Sequence, residues 1–285
     1  MWCQTNDNST QQPLRKRILF PCRDRRVGTF ALCGLLTVLF LAACEPEGDE
    51  PAEVSLPVTF SGSGLTPTVN DLGWQVTLNR FDVCVENLEF TQEGEAHASI
   101  LKRVSDFFIP EAMAHPGHLA GGDVTGTLTG KWLIPFLGAS RNLGLATLLE
   151  GDYNGVNLSF CVADETVGAA ATSAIFGHQA MMNGTATNGI STVQFTAIID
   201  IGDAPTMWGG VFELMVAESS SVQLVLHPFS VDPFEEDTFF DGLDFGTLDD
   251  DGDGAVNLIA GMPAHNILMK SLLSHDHWSV ISNNK

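Results

Sequence analysis

The chain has 285 residues, of which 44 % are hydrophobic and 17 % charged, and it sets 13 Lys+Arg against 35 Asp+Glu for a net charge of −22. That apolar share supplies a sizeable core and argues against wholesale disorder, and the length admits one or two domains. So negative a chain lacks the basic footprint that phosphate binding requires, which argues against nucleic acid and against charge-driven docking on anionic lipid.

The N-terminus differs from the rest. Arg15, Lys16, Arg17, Arg23, Arg25 and Arg26 precede the uncharged, apolar run Val27–Ala43, which ends in Leu41-Ala42-Ala43-Cys44. Basic, apolar and small-residue segments in that order form a secretory signal. The last four residues resemble the bacterial lipobox, whose Cys is lipidated and becomes the first mature residue. Residues 1–43 are therefore expected to be a cleaved lipoprotein signal and Cys44 the lipid site, rather than a membrane-spanning anchor, for which the run is short. Residues 44–53 then form an acidic tether, E-P-E-G-D-E-P-A-E after the Cys, and Glu45 fits passage to the outer membrane of a Gram-negative cell. The partner so implied is the membrane, through the lipid anchor.

From residue 54 to 285 the pattern predicts one all-β domain. Period-two alternation marks strands at 54–61, 74–78, 80–90, 155–162, 192–201, 211–216 and 222–226, punctuated by Gly, Asn and Asp. The Gly151–Gly155 stretch reads as a turn, and Asn183-Gly184 and Asn188-Gly189 read as hairpin signals. Helical readings are few: 103–113, 137–149 and, best, 266–274, where Ile267, Leu268 and Leu272 share a face. Many strands without alternating helices predict a single antiparallel β-sandwich, immunoglobulin- or transthyretin-like, with long loops.

Cysteines enter the body twice, as Cys84 and Cys161, each in an apolar strand-like run. An even pair in an exported protein predicts a disulfide, with two buried thiols as the other reading.

Two constellations carry chemistry. Ala114-His115-Pro116-Gly117-His118 places two imidazoles three apart in a turn, where both ring nitrogens can face one ion of Cu or Zn. Two ligands hold a metal weakly, so further donors are sought among His178, His265, His275 and His277, with His97 and His227 in reserve; His275 and His277 share a face if their segment is a strand. A polar turn is the bland alternative. Next, Asp249-Asp250-Asp251-Gly252-Asp253-Gly254-Ala255-Val256-Asn257 matches the opening of an EF-hand or dockerin-type calcium loop. Asp249, Asp251, Asp253 and Asn257 are the expected Ca²⁺ ligands, with the Ala255 carbonyl between them. The twelfth position, normally acidic, is Ala260, so Glu235, Glu236, Asp241 and Asp244 are the candidates to close the shell. A solvated acidic loop is the alternative.

Met113, Met181 and Met182 suit Cu(I) or core packing, and Trp74, Trp132, Trp208 and Trp278 suit a ligand groove or half-buried sheet positions. No G-x-S-x-G, H-E-x-x-H, P-loop or dinucleotide fingerprint occurs, so no enzyme is expected.

The A-H-P-G-H motif, E-G-D-Y-N-G-V-N-L-S-F and D-P-F-E-E-D-T-F-F-D-G-L-D-F resemble segments of a group of uncharacterised bacterial lipoproteins. More distantly the chain is similar to the periplasmic, copper-linked β-sandwich proteins of methanobactin operons. The latter usually carry four body cysteines, where this chain has two. The resemblance implies an exported, metal-binding β-sandwich with His115 and His118 as the matching positions. The expected function is thus a lipid-anchored periplasmic protein that binds Cu or Zn through a His-rich loop site, with a structural Ca²⁺ loop and a periplasmic protein as partner. The competing expectation is a Ca²⁺-stabilised adhesion or carbohydrate-binding module without transition metal.

Overall fold

Alternation of buried and exposed side chains lets each strand bury one face, and the strands built this way close on one another. The computed structural model describes residues 51–92, 122–202 and 206–283. Twelve strands are present there: β1 (Glu53–Phe60), β2 (Thr68–Val69), β3 (Gln75–Gln92), β4 (Asp123–Pro135), β5 (Arg141–Leu149), β6 (Gly151–Phe160), β7 (Ala180–Thr187), β8 (Thr192–Ile199), β9 (Thr206–Val216), β10 (Gln223–Pro228), β11 (Ala255–Leu258) and β12 (Trp278–Asn283). Two helices join them, α1 (Phe245–Leu248) and α2 (Pro263–Leu273).

The all-β expectation holds, but the sheet is mixed rather than antiparallel. β1 runs parallel to β10, β11 to β8 and β12 to β9, while the other pairings are antiparallel. The order β3-β4-β5-β1-β10-β12-β9-β6 returns to β3, because β6 also pairs with β3. Eight strands thus form a closed hydrogen-bonded ring, a number at which side chains alone fill the interior. β7, β8 and β11 extend outward from the first half of β3.

The 18-residue β3 makes both arrangements compatible. Its residues 75–83 pair with β7 and its residues 85–92 with β6, on the same edge. At Asn87 (φ 50°) the register slips against both β4 and β6, and the Asn87 Oδ1 accepts the Gly130 N–H at 3.1 Å. This is a bulge, which bends a strand and raises its twist. Cys84 sits at the hand-over between β7 and β6: its N–H donates to the Gln179 carbonyl and its carbonyl accepts the Cys161 N–H. The expected disulfide to Cys161 is formed there, with Cα atoms 5.0 Å apart.

The core is aromatic. Phe136 just past β4 stacks on Phe60 of β1 at 4.6 Å and meets Trp278 of β12 edge-on at 5.6 Å; Trp278 in turn contacts Phe160 of β6 at 6.0 Å. Offset and edge-on pairs of this kind add to the area they bury. A smaller apolar cluster of Cys84, Cys161, Ala163, Ala169, Ile175 and Met181 lies under the connection from β6 to β7.

Local expectations fared unevenly. The 74–78 and 80–90 runs are one strand, and 137–149, read as helix, contains β5. Gly151–Gly155 and Asn183-Gly184 lie within β6 and β7 rather than in turns. Asn188-Gly189 does form the β7–β8 hairpin loop, where the Asn188 Oδ1 accepts the Ser191 N–H at 2.9 Å. The 266–274 helix is α2, started by Pro263 in its first turn and burying Leu268 and Leu272. The 103–113 reading lies outside the described residues.

Candidate metal centres

Residues 249–254 join α1 to β11. The Asp244 carboxylate caps α1, accepting the Gly246 N–H and the Thr247 hydroxyl at 3.2 and 2.6 Å. After this single turn the chain reverses through Gly252 (φ 70°) and Gly254 (φ 79°), a backbone region that glycine enters without a Cβ penalty. The reversal folds Asp249, Asp251 and Asp253 together, so that one carboxylate oxygen of each lies within 4.8 Å of the others. Asp249 accepts the Gly254 N–H at 3.1 Å, Asp251 that of Asp253 at 3.2 Å, and Asp253 that of Ala255 at 2.8 Å. The far side of the loop is held because Gln194 of β8 donates its N–H to the Gly254 carbonyl. Three carboxylates on a tight turn, presented to solvent, are hard-oxygen donors of the kind that Ca²⁺ takes.

Asn257 does not belong to this turn. It is exposed on β11, opposite Thr196 of β8, because the chain leaves the loop as a strand where an EF-hand would continue as a helix. Of the suggested closing ligands, Asp241 and Asp244 are committed elsewhere. Asp241 accepts the Thr238 N–H and hydroxyl and the Asp71 N–H, and Asp244 caps α1.

Of the histidines, His178 and His265 meet at Asp200. His178 Nδ1 lies 2.9 Å from the Asp200 carboxylate, and buried His265 Nε2 accepts the Asp200 N–H at 3.3 Å. His227 Nδ1 meets the Ser63 hydroxyl at 3.4 Å. His275 and His277 sit on a 3-10 turn, not a strand, so they do not share a face: His275 Nε2 is 2.9 Å from Asp276, whereas His277 is buried. Among the described residues no three metal-ligating side chains that include a histidine converge. His115, His118, His97, Met113 and Cys44 lie outside the described residues. Met181 and Met182 are buried in the two apolar clusters, and Trp74 and Trp278 are buried in the core, so these four are packing residues. Trp208 alone of the four tryptophans is more exposed than buried, at 54 %.

A second acidic group escaped the sequence reading. After β10 the chain turns through Asp232-Pro-Phe-Glu235-Glu236-Asp237, with Glu236 in the left-handed region at φ 65°. Oxygens of Asp232, Glu235 and Asp237 lie within 4.8 Å of one another. Asp232 is 1 % exposed and accepts the N–H groups of Phe234 and Glu235 at 2.8 and 3.1 Å. Partial burial, and then the charges of Asp232, Glu235, Asp241 and Asp276, push the Asp237 carboxyl above its usual range. Burial likewise holds the His277 imidazole below its usual 6.5. The D-x-x-E-x-D spacing is visible in the sequence, but its proximity to His277, some forty residues later, is not.

Comparisons with protein-family models, curated proteins and solved structures return no match to this chain. Among the described residues no helix is long and apolar enough to cross a membrane. The functional reading therefore rests on the geometry of the acidic groups.

Proposed function

We propose that this chain is a non-catalytic, lipid-anchored protein of the bacterial cell envelope whose β-ring body binds a structural Ca²⁺ in the Asp249–Asp253 loop. The observation that carries the reading is the convergence of three carboxylate oxygens within 4.8 Å on a turn built by two left-handed glycines. Three like charges at that spacing repel one another, and a divalent cation reverses the sign of the interaction. Support for the location comes from the basic–apolar–small leader ending at Cys44 and the acidic tether after it.

The test is a calcium titration followed by thermal unfolding. Extracellular calcium modules bind at about 10⁻⁴–10⁻³ M. Saturation a hundredfold above Kd adds about 2.7 kcal/mol, which for a domain of this size raises Tm by roughly 5–11 °C. Asp251→Asn and Asp253→Asn should each abolish most of the shift. An unchanged Tm in the parent protein, or an equal shift in both variants, would refute the calcium reading. Replacing Cys44 by Ser should release the protein from the membrane fraction and abolish incorporation of labelled fatty acid.

A further inference from the structure

The three strands that extend the ring, β7, β8 and β11, bury one face and turn the other outward. Alternate residues share a face, so the outward side chains include Asn183 and Thr185 of β7, Gln194 and Thr196 of β8, and Ala255 and Asn257 of β11. The ladders set them in two rows, Asn183–Thr196–Asn257 and Thr185–Gln194–Ala255. Neighbours in a row lie about 4.8 Å apart across the strands, and the rows lie about 6.6 Å apart along them. β3 borders the rows. Its register against β7 slips between Leu78 and Arg80, and that irregularity leaves Asn79 without a partner residue on β7. Together these residues line a cleft of about 370 Å³, inside the range of about 300–1,000 Å³ that ligand pockets occupy.

Two features set the cleft apart. No ionisable side chain lines it, in a chain that carries 35 Asp+Glu. Its polar side chains are also unused: among the described residues, the amides of Asn79, Asn183, Gln194 and Asn257 and the hydroxyls of Thr185 and Thr196 make no hydrogen bond within the chain. Elsewhere in the fold the amides of Asn70, Asn87, Gln92, Asn142, Asn157 and Gln179 all do so. An amide presents donors and an acceptor and a hydroxyl both donates and accepts, so the cleft offers a grid of neutral groups of both kinds.

We infer that this cleft is a binding site for a neutral oligosaccharide. Sugar hydroxyls likewise donate and accept, so they pair with amides and hydroxyls without calling for a charged partner. An anion finds no cation on the wall and is repelled by the net charge of −22. An extended peptide gains nothing here, because recognition through its main chain needs a free sheet edge, whereas this is a sheet face whose backbone groups are engaged in the β7–β8 and β8–β11 ladders. The inference does not depend on the calcium reading, since none of the three carboxylates of the Asp249–Asp253 loop lines the cleft.

The full chain is titrated calorimetrically with cellotetraose, maltotetraose, mannotetraose and chitotetraose, with tetragalacturonate as the anionic control. Running each titration in calcium and in chelator separates this inference from the calcium reading, whose own readout is the shift of Tm. At least one neutral sugar is expected to bind and to move the side-chain NH₂ resonances of Asn183, Gln194 and Asn257. Asn183→Ala/Asn257→Ala should weaken that binding at least tenfold while leaving Tm unchanged, because neither side chain is bonded within the chain. Asn283→Ala, at the end of β12, should bind as the parent does. Binding of none of the four neutral sugars in either buffer would overturn the site. So would equal affinity in the double variant, resonance shifts confined to other amides, or tetragalacturonate binding as tightly as the best neutral sugar. Self-association of the parent that the double variant loses would assign the face to a second copy of the chain and overturn the sugar reading as well.

Discussion

Removing the Cys84–Cys161 bond gives the sharpest test of the architecture. The bridge closes a loop with a sequence separation of 77 residues, at the point where the partner of β3 changes from β7 to β6. Chain-entropy theory assigns a loop of that length about 15 cal/mol/K, or about 4.5 kcal/mol at 25 °C. At roughly 2–4 °C per kcal/mol for a domain of this size, Cys84→Ala/Cys161→Ala should melt roughly 9–18 °C below the parent. The assay is differential scanning calorimetry without reductant, with chelator in both samples so that metal linkage does not enter. Hydrogen exchange gives a local readout. Ala163, Ala169, Ile175 and Met181 form one small cluster with the two cysteines, so amides of 161–179 should lose more protection than those of β1 or β10. A drop below about 3 °C would refute the reasoning, because it would mean that the hydrogen bonds at Cys84 alone hold the hand-over.

Further outcomes follow from the same structure. Burial depresses the His277 pKa, so the unfolded chain binds the extra proton first; this group's contribution to stability is complete above pH 6.5 and is lost as pH falls below it. In chelator, His277→Phe should therefore flatten the fall of Tm below pH 6.5, and parallel curves would contradict this. The Asp237 carboxyl is shifted upward, so native Asp237 costs stability once ionised; without metal, Asp237→Asn should raise Tm at pH 7, and a lower Tm would oppose it. The Trp278 indole N–H donates to the Leu272 carbonyl in the last turn of α2 at 3.0 Å, so Trp278→Phe leaves a buried acceptor unpaired at about 1–3 kcal/mol. A denaturant midpoint unchanged in that variant would count against this packing.

Much of the fold was legible because a strand with one buried face must alternate. Val54, Leu56, Val58 and Phe60 do so over β1, and each is buried. In β5 the register against β1 slips between Val58 and Thr59, so the buried residues run Leu143, Ala146, Leu148. A spacing of three produced by a bulge imitates one turn of helix. β4 carries Thr and Gly where the alternation would show, and it is a strand because β3 and β5 flank it. The H-x-H at 275–277 promised a shared face, but the 3-10 turn separates the two rings.

The Asp249–Asp253 turn was legible in the sequence, since glycines and aspartates within six residues determine their own turn; Asn257 was drawn away from it once β11 paired with β8. The alternation within a strand such as β1 and the acidic turn at 249–254 are local matters, decided by neighbours a few residues away. Ring closure and the parallel pairings are decided by which strand edges find each other. That choice depends on how a dozen buried faces pack together, and no short window of residues carries it.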